Sequence, residues 1–139
     1  MLPIKNVNFE AIHAVAPEIY KVAVDLAVLA SYEEIQLDGE PDLVVELIDL
    51  YLEDAPRRVA VMRDSLAAMN WLSVRREAHS LRGSSGNLGA LQMALICDEL
   101  EGRESGDLSP SVEALLSCLE EELARVRQVF LAERLRRLP

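Results

Sequence analysis

The sequence predicts an all-α protein: an antiparallel four-helix bundle with an extra N-terminal helical segment. Three observations lead there. Apolar residues recur every three or four positions along most of the 139-residue chain, the period of one helix face. Aromatic residues make up 4%, and glycine and proline contribute 6 each, fewer than many short strands and their turns would bring. The breaks between the periodic stretches are short, which sets consecutive helices antiparallel. A chain of this length buries about 70% of its unfolded surface and folds without staples.

Residues 1–22 read as an N-terminal arm or helical extension, and residues 23–139 as the bundle. From Phe9 to Ser31, Ile12, Ile19, Val22, Ala23, Leu26 and Leu29 follow a helical stripe that Pro17 interrupts. Asp38-Gly39-Glu40-Pro41 is turn chemistry, and a long helix is expected to start near Pro41. Its stripe is Val44, Leu47, Ile48, Tyr51, Leu52, Ala55, Val59, Met62, Leu66 and Met69, with a bend expected at Pro56 and Asn70 as C-cap. The next helix, about Leu72 to Leu88, turns Val74, Ala78, Leu81, Ser85 and Leu88 inward. Asn87-Leu88-Gly89 makes a sharp corner. The following helix places Ala90, Met93, Ala94, Cys97 and Leu100 on one face, and Gly102 to Leu108 forms a loop. Ser109-Pro110 is an N-cap with proline at the first helical position. The last helix carries Val112, Leu115, Leu116, Leu119, Leu123, Val126 and Phe130 inward. It ends with Arg134, Arg136 and Arg137, which suit the negative end of the helix dipole.

Fourteen Lys and Arg against 24 Asp and Glu give a net charge of −10, which argues against nucleic acid as the partner. The longest apolar stretch, Val22 to Ala30, is interrupted by Asp25 and is too short to span a bilayer. The first residues lack the layout of a secretory signal, so the expected compartment is the cytoplasm. Cys97 and Cys118 lie within apolar helical patterns without metal-ligand spacing, and read as small core residues. The expected oligomeric state is a monomer, because one buried stripe per helix makes the bundle self-sufficient.

The sequence has two histidines. Glu10 and His13 stand at ExxH spacing, but a di-iron bundle needs a second such pair, and Arg76 occupies the matching place before His79. No metal site is therefore expected. His79 lies about 100° around the helix from Ala78 and about 160° from Leu81, so it points away from the core. Its neighbours one turn away are Arg75, Arg76, Arg82 and Gly83. Residues 72–88 carry three Arg and one Glu, whereas residues 33–54 carry nine acids and no base. These cations disfavour a further positive charge on the ring and favour a phosphoryl group attached to it. Glycine in mid-helix costs up to about 1 kcal/mol relative to alanine, so Gly83 suggests that something approaches closely there.

The stretch Ala78-His79-Ser80-Leu81-Arg82-Gly83-Ser84-Ser85-Gly86-Asn87-Leu88-Gly89 resembles the signature of histidine-containing phosphotransfer (HPt) domains, Ala-His-x-Leu-Lys/Arg-Gly-Ser/Ala followed by a later glycine. Asp42 to Pro56 is similar to the family's second helix, and the resemblance covers about residues 23–130. It implies a phosphorelay intermediate: His79 takes a phosphoryl group from a receiver-domain aspartate and passes it to another receiver. On this resemblance Arg82 contacts the phosphoryl oxygens, Gly83 leaves room for the receiver, and Glu101 hydrogen-bonds the imidazole. It also implies a hybrid sensor histidine kinase and response-regulator receivers as partners. It implies no cofactor on this chain itself, with Mg²⁺ and most of the catalysis expected from the receiver. Arg75 and Arg76 lie outside the signature, and their spacing suggests that they steer the receiver. The alternative is a degenerate bundle that only docks to a receiver or kinase. No ATP-binding or glycine-rich phosphate loop supports an enzyme with its own active site.

Overall fold

The computed structural model describes residues 22–103 and 110–139. Five α-helices are described: α1 (Leu26–Ser31), α2 (Leu43–Ala67), α3 (Trp71–Asn87), α4 (Leu91–Glu101) and α5 (Pro110–Arg137), with a 3₁₀ turn at Tyr32–Ile35. Helix α2 packs on α3, α3 on α4, α4 on α5, and α5 back on α2, closing a ring of four. Cross-helix pairs give the directions. Tyr51 meets Ser85, Arg58 meets Glu77 and Ser65 meets Ser73, so α2 and α3 are antiparallel. His79 meets Glu101 and Arg82 meets Asp98, so α3 and α4 are antiparallel as well. Asp49 meets Arg134 and Arg63 meets Glu113, which sets α5 against α2 in the same manner.

The predicted stripes form the core. Ile48, Ala55, Met62, Ala78, Leu81, Met93, Cys97, Leu100, Leu116, Val126 and Phe130 are all buried. Truncating one of the larger of these to alanine typically costs about 2–5 kcal/mol. The Tyr51 ring meets Phe130 edge-on at 5.3 Å, and its hydroxyl shares a buried 2.7 Å hydrogen bond with Ser85. Burial pushes the Tyr51 phenol well above its ordinary value. Cys97 is a buried free thiol pushed up to about 12, chiefly by burial, and Cys118 is a half-buried free thiol. No helix among the described residues is long and apolar enough to cross a membrane.

Three expectations need correction. The helix expected over Phe9–Ser31 begins, within the described part, only at Leu26. Asp25 is its N-cap: its carboxylate accepts from the Ala27 N–H and its own N–H donates to the Gly89 carbonyl at 2.8 Å. That anchoring holds residues 22–25 out of the helix, leaving Val22 and Leu26 half-exposed while Ala23 and Val24 are buried. Asn70 does not cap α2. Its side chain accepts from Ser73 N–H and starts α3, and α2 ends instead through Met69 at φ +57°. Met69, expected inward, is therefore exposed. Phe9, Ile12, His13, Pro17, Ser109 and most of the 102–108 loop lie outside the described residues.

The corner after α3 closes this end of the bundle. Gly89 takes φ +82°, and a Cβ there would stand 2.5 Å from the Asp25 carbonyl oxygen. The Tyr32 hydroxyl donates to the Asn87 carbonyl at 2.7 Å, fastening the 3₁₀ turn to the same corner.

Candidate active site around His79

Helix α3 buries Val74, Ala78, Leu81 and Ser85, and that phase turns His79 and Gly83 outward. The His79 side chain is 66% exposed. Helix α4 brings its last turn alongside. The Trp71 indole N–H donates to the Arg103 carbonyl at 3.3 Å, tying the chain just beyond α4 to the first residue of α3. This places Glu101 beside His79.

Glu101 Oε2 lies 2.9 Å from His79 Nδ1. An ionised carboxylate only accepts, so Nδ1 carries the proton and the neutral ring keeps its lone pair on Nε2. Nε2 has no hydrogen-bond partner among the described residues. Glu101 is largely shielded, with a side chain 21% exposed, and Arg82 Nε meets its other oxygen at 3.0 Å. Arg82 Nη1 reaches Asp98 Oδ1 at 3.0 Å, and Nη2 stands 3.5 Å from His79 Nδ1. Ring, guanidinium and two carboxylates thus form one connected group on the surface of α3 and α4.

Gly83 is exposed, and a Cβ added there would meet nothing within 4 Å. No packing among the described residues requires a glycine at this position. Arg75 and Arg76 are both exposed, and neither makes an ion pair among the described residues. With Leu72, Ser80, His79 and Glu101 they line a shallow cleft of about 530 Å³ on the side of the imidazole away from Gly83. No cluster of three or more metal-ligating side chains occurs among the described residues.

The structure therefore brings His79, Arg82 and Glu101 into contact, and sets Gly83, Arg75 and Arg76 around them. Sequence reasoning missed Asp98 and Trp71. Asp98 stands one turn before Glu101 on the same face of α4, so that spacing was the available signal. Trp71 gives no such signal, because its role depends on where the chain goes after α4.

The family model described as Hpt domain matches residues 46–129. The chain belongs to the Hpt family. The crystal structure of histidine-containing phosphotransfer protein B (HptB) from Pseudomonas aeruginosa PAO1 superposes with a TM-score of 0.70 at 32% identity, covering 84% of this chain and 97% of that one. Histidine-containing phosphotransfer protein 2 of Arabidopsis thaliana is 31% identical over 68 residues, 47% of this chain and 44% of that protein. Histidine-containing phosphotransfer protein 5 of the same plant is 29% identical over 91 residues, 63% of this chain and 56% of that protein. The chain spans about half the length of the plant relatives it matches. Hpt membership agrees with the all-helical bundle and accounts for the signature around His79.

Proposed function

We propose that this Hpt domain is a phosphorelay intermediate with His79 as its phosphoacceptor. The observation that carries the reading is the state of the imidazole: exposed, held at Nδ1 by Glu101, and open at Nε2. In the forward step the Nε2 lone pair attacks the phosphorus of a receiver's aspartyl phosphate. The N–P bond forms, the P–O bond to the aspartate breaks, and its electron pair stays on the aspartate carboxylate. The Nδ1 proton remains in place, so the ring gains positive charge as the bond forms. The Glu101 carboxylate at 2.9 Å stabilises that charge and fixes the ring's orientation. Transfer to a second receiver reverses the electron flow.

Arg82 contributes N–H donors to the phosphoryl oxygens. The absence of a side chain at Gly83 lets the receiver's surface approach the ring. Arg75 and Arg76, which pair with no carboxylate among the described residues, raise the association rate with the acidic rim of a receiver's active site. In this reading the receiver supplies the Mg²⁺ that offsets phosphoryl charge, and the domain needs no cofactor of its own. Its partners are receiver domains and a hybrid sensor histidine kinase; it works as a monomer in the cytoplasm and engages neither nucleic acid nor a membrane.

A receiver charged with radiolabelled acetyl phosphate tests the reading. Label is expected to pass to this chain, to be lost in acid and to survive alkali, as a phosphoramidate does. His79→Gln is expected to remain unlabelled with an unchanged helical spectrum. Label on the His79→Gln variant, or label stable to acid, would refute the assignment. A well-folded wild type that binds the receiver without taking label would favour the docking-only alternative.

A further inference from the structure

The two carboxylates that hold Arg82 are not equivalent. Glu101 takes the imidazole hydrogen bond as well as the Arg82 Nε contact, and its side chain is 21% exposed. Asp98 is 62% exposed, and its one ion pair among the described residues is to Arg82 Nη1 at 3.0 Å. An ion pair this open to water adds little to stability. Glu101 is committed to the ring, whereas among the described residues Asp98 pairs only with the guanidinium. Because α3 and α4 run antiparallel, Asp98 stands opposite Arg82 just as Glu101 stands opposite His79, so this pairing is built into the helix register.

We propose that Asp98 is a positioning residue that divides the Arg82 charge between itself and a phosphoryl group on His79, and so sets how tightly the domain holds its cargo. The proposal rests on the reading of His79 as phosphoacceptor. With the imidazole bare, Arg82 docks on Asp98. A phosphoryl group on Nε2 brings three acceptor oxygens and nearly two negative charges beside the same guanidinium. Arg82 has five N–H donors in one rigid plane, so turning them toward those oxygens loosens the contact with Asp98. The cost of that loosening weakens the hold on the phosphoryl group. For a carrier this matters, because a group held too well is not passed on. Asp98 therefore keeps the phosphohistidine transferable.

The test is the equilibrium partition of label between a charged receiver and this chain, measured in five proteins: the wild type, Asp98→Asn, Asp98→Glu, Arg82→Ala and the Arg82→Ala/Asp98→Asn pair. Asp98→Asn is expected to shift the partition toward His79 by about 2- to 5-fold, the scale of one exposed ion pair. Asp98→Glu, which keeps the charge, is expected to return the wild-type ratio. In the Arg82→Ala background, Asp98→Asn is expected to change nothing, because no guanidinium is left to divide. An unchanged partition in Asp98→Asn would overturn the proposal while leaving His79 as the acceptor. An equal shift without Arg82 would overturn it too, since it would mean that Asp98 simply repels the phosphoryl group. Failure of the wild type to take any label would instead refute the reading of His79. Because Asp98 is exposed, thermal unfolding of Asp98→Asn is expected to match the wild type, which separates a change in partition from a loss of fold.

Discussion

Gly89 and Arg137 belong to a closed region of the bundle, and Gly83 and Arg82 to an open one around His79. Both regions pair an arginine with carboxylates, and both contain a glycine. At Gly89 an added Cβ would strike the Asp25 backbone, and the backbone takes a positive φ; at Gly83 the added atom would meet nothing within 4 Å among the described residues. Arg137 is buried to 11% side-chain exposure among Glu133, Asp42 and Glu33, and ties the end of α5 to the start of α2 and the 3₁₀ turn. Arg82 is 41% exposed and leaves one edge of its guanidinium beside the imidazole. The same residue types therefore complete the fold in one region and leave an exposed guanidinium and open space in the other. What marks a site here is not charge or glycine as such, but polar groups whose bonding the chain does not finish.

Alanine at each arginine should separate the two regions most strongly. Arg82→Ala is expected to slow transfer at saturating receiver by about 5- to 150-fold, equivalent to about 1–3 kcal/mol for a lost charge-assisted hydrogen bond. Its unfolding should change little. Arg137→Ala is expected to cost about 1–3 kcal/mol of stability, because three carboxylates lose a shared and largely buried partner, while transfer by the folded protein stays at the wild-type rate. Acidification adds a second measure. Arg136 first, and Arg137 with it, hold the Glu133 carboxyl below its ordinary value. A carboxyl depressed in the folded state stabilises the fold above its unfolded pKa, and that contribution is lost as pH falls through the folded value. In urea unfolding from neutral pH down to about pH 3, Arg137→Ala should therefore lose less stability than the wild type does. Equal transfer defects in the two variants would erase the distinction between the regions.

The glycines extend the same contrast. Gly83→Leu is expected to fold as well as the wild type or better, by up to about 1 kcal/mol, because it replaces a mid-helix glycine with a strong helix former in open space. Transfer should fall by about tenfold or more, since a side chain standing in an interface costs about 1–3 kcal/mol. Gly89→Ala should do the reverse. Its positive φ and the 2.5 Å approach to Asp25 require the corner to shift, which costs about 1–3 kcal/mol of stability. Circular dichroism melts and transfer assays on the same samples read both halves. Full transfer by a folded Gly83→Leu would mean that the receiver does not approach over this residue.

Much of this was legible beforehand, for physical reasons. The stripes of α2, α3 and α5 follow from the period of the helix alone, so Ile48, Leu81 and Phe130 were placed correctly in the core. The same phase placed His79 outside. The errors fell where one residue type serves two purposes. Asparagine caps either end of a helix, and Asn70 starts α3 because Met69 takes the left-handed turn. Asp25 stands in an apolar run that reads as helix, but its N–H is claimed by Gly89, sixty-odd residues away in sequence. The joining of His79, Arg82, Asp98 and Glu101 needed the register of α3 against α4, which no local pattern contains. The resemblance to the family supplied Glu101, but it did not extend to Asp98.

The smallest expected effect concerns Arg75 and Arg76, and it divides the open region itself into chemistry and steering. Both lie on the opposite side of the ring from Gly83 and line the cleft with Leu72 and Ser80. Unlike Arg82, neither is docked on a carboxylate of its own chain among the described residues, so their charge is available to an approaching acidic surface. The Arg75→Ala/Arg76→Ala pair is expected to lower the association rate with a receiver by about 2- to 5-fold at low salt, with the rate at saturation unchanged. Exposed charges are screened beyond about 8–10 Å at physiological ionic strength, so this deficit should shrink as salt is added. The Arg82→Ala deficit should persist, because contact with the phosphoryl oxygens acts at hydrogen-bond range. Stopped-flow transfer at low and high ionic strength compares the two directly. Equal salt dependence in both variants would place all three arginines in one role, and the cleft beside His79 would then be part of the chemistry rather than its approach.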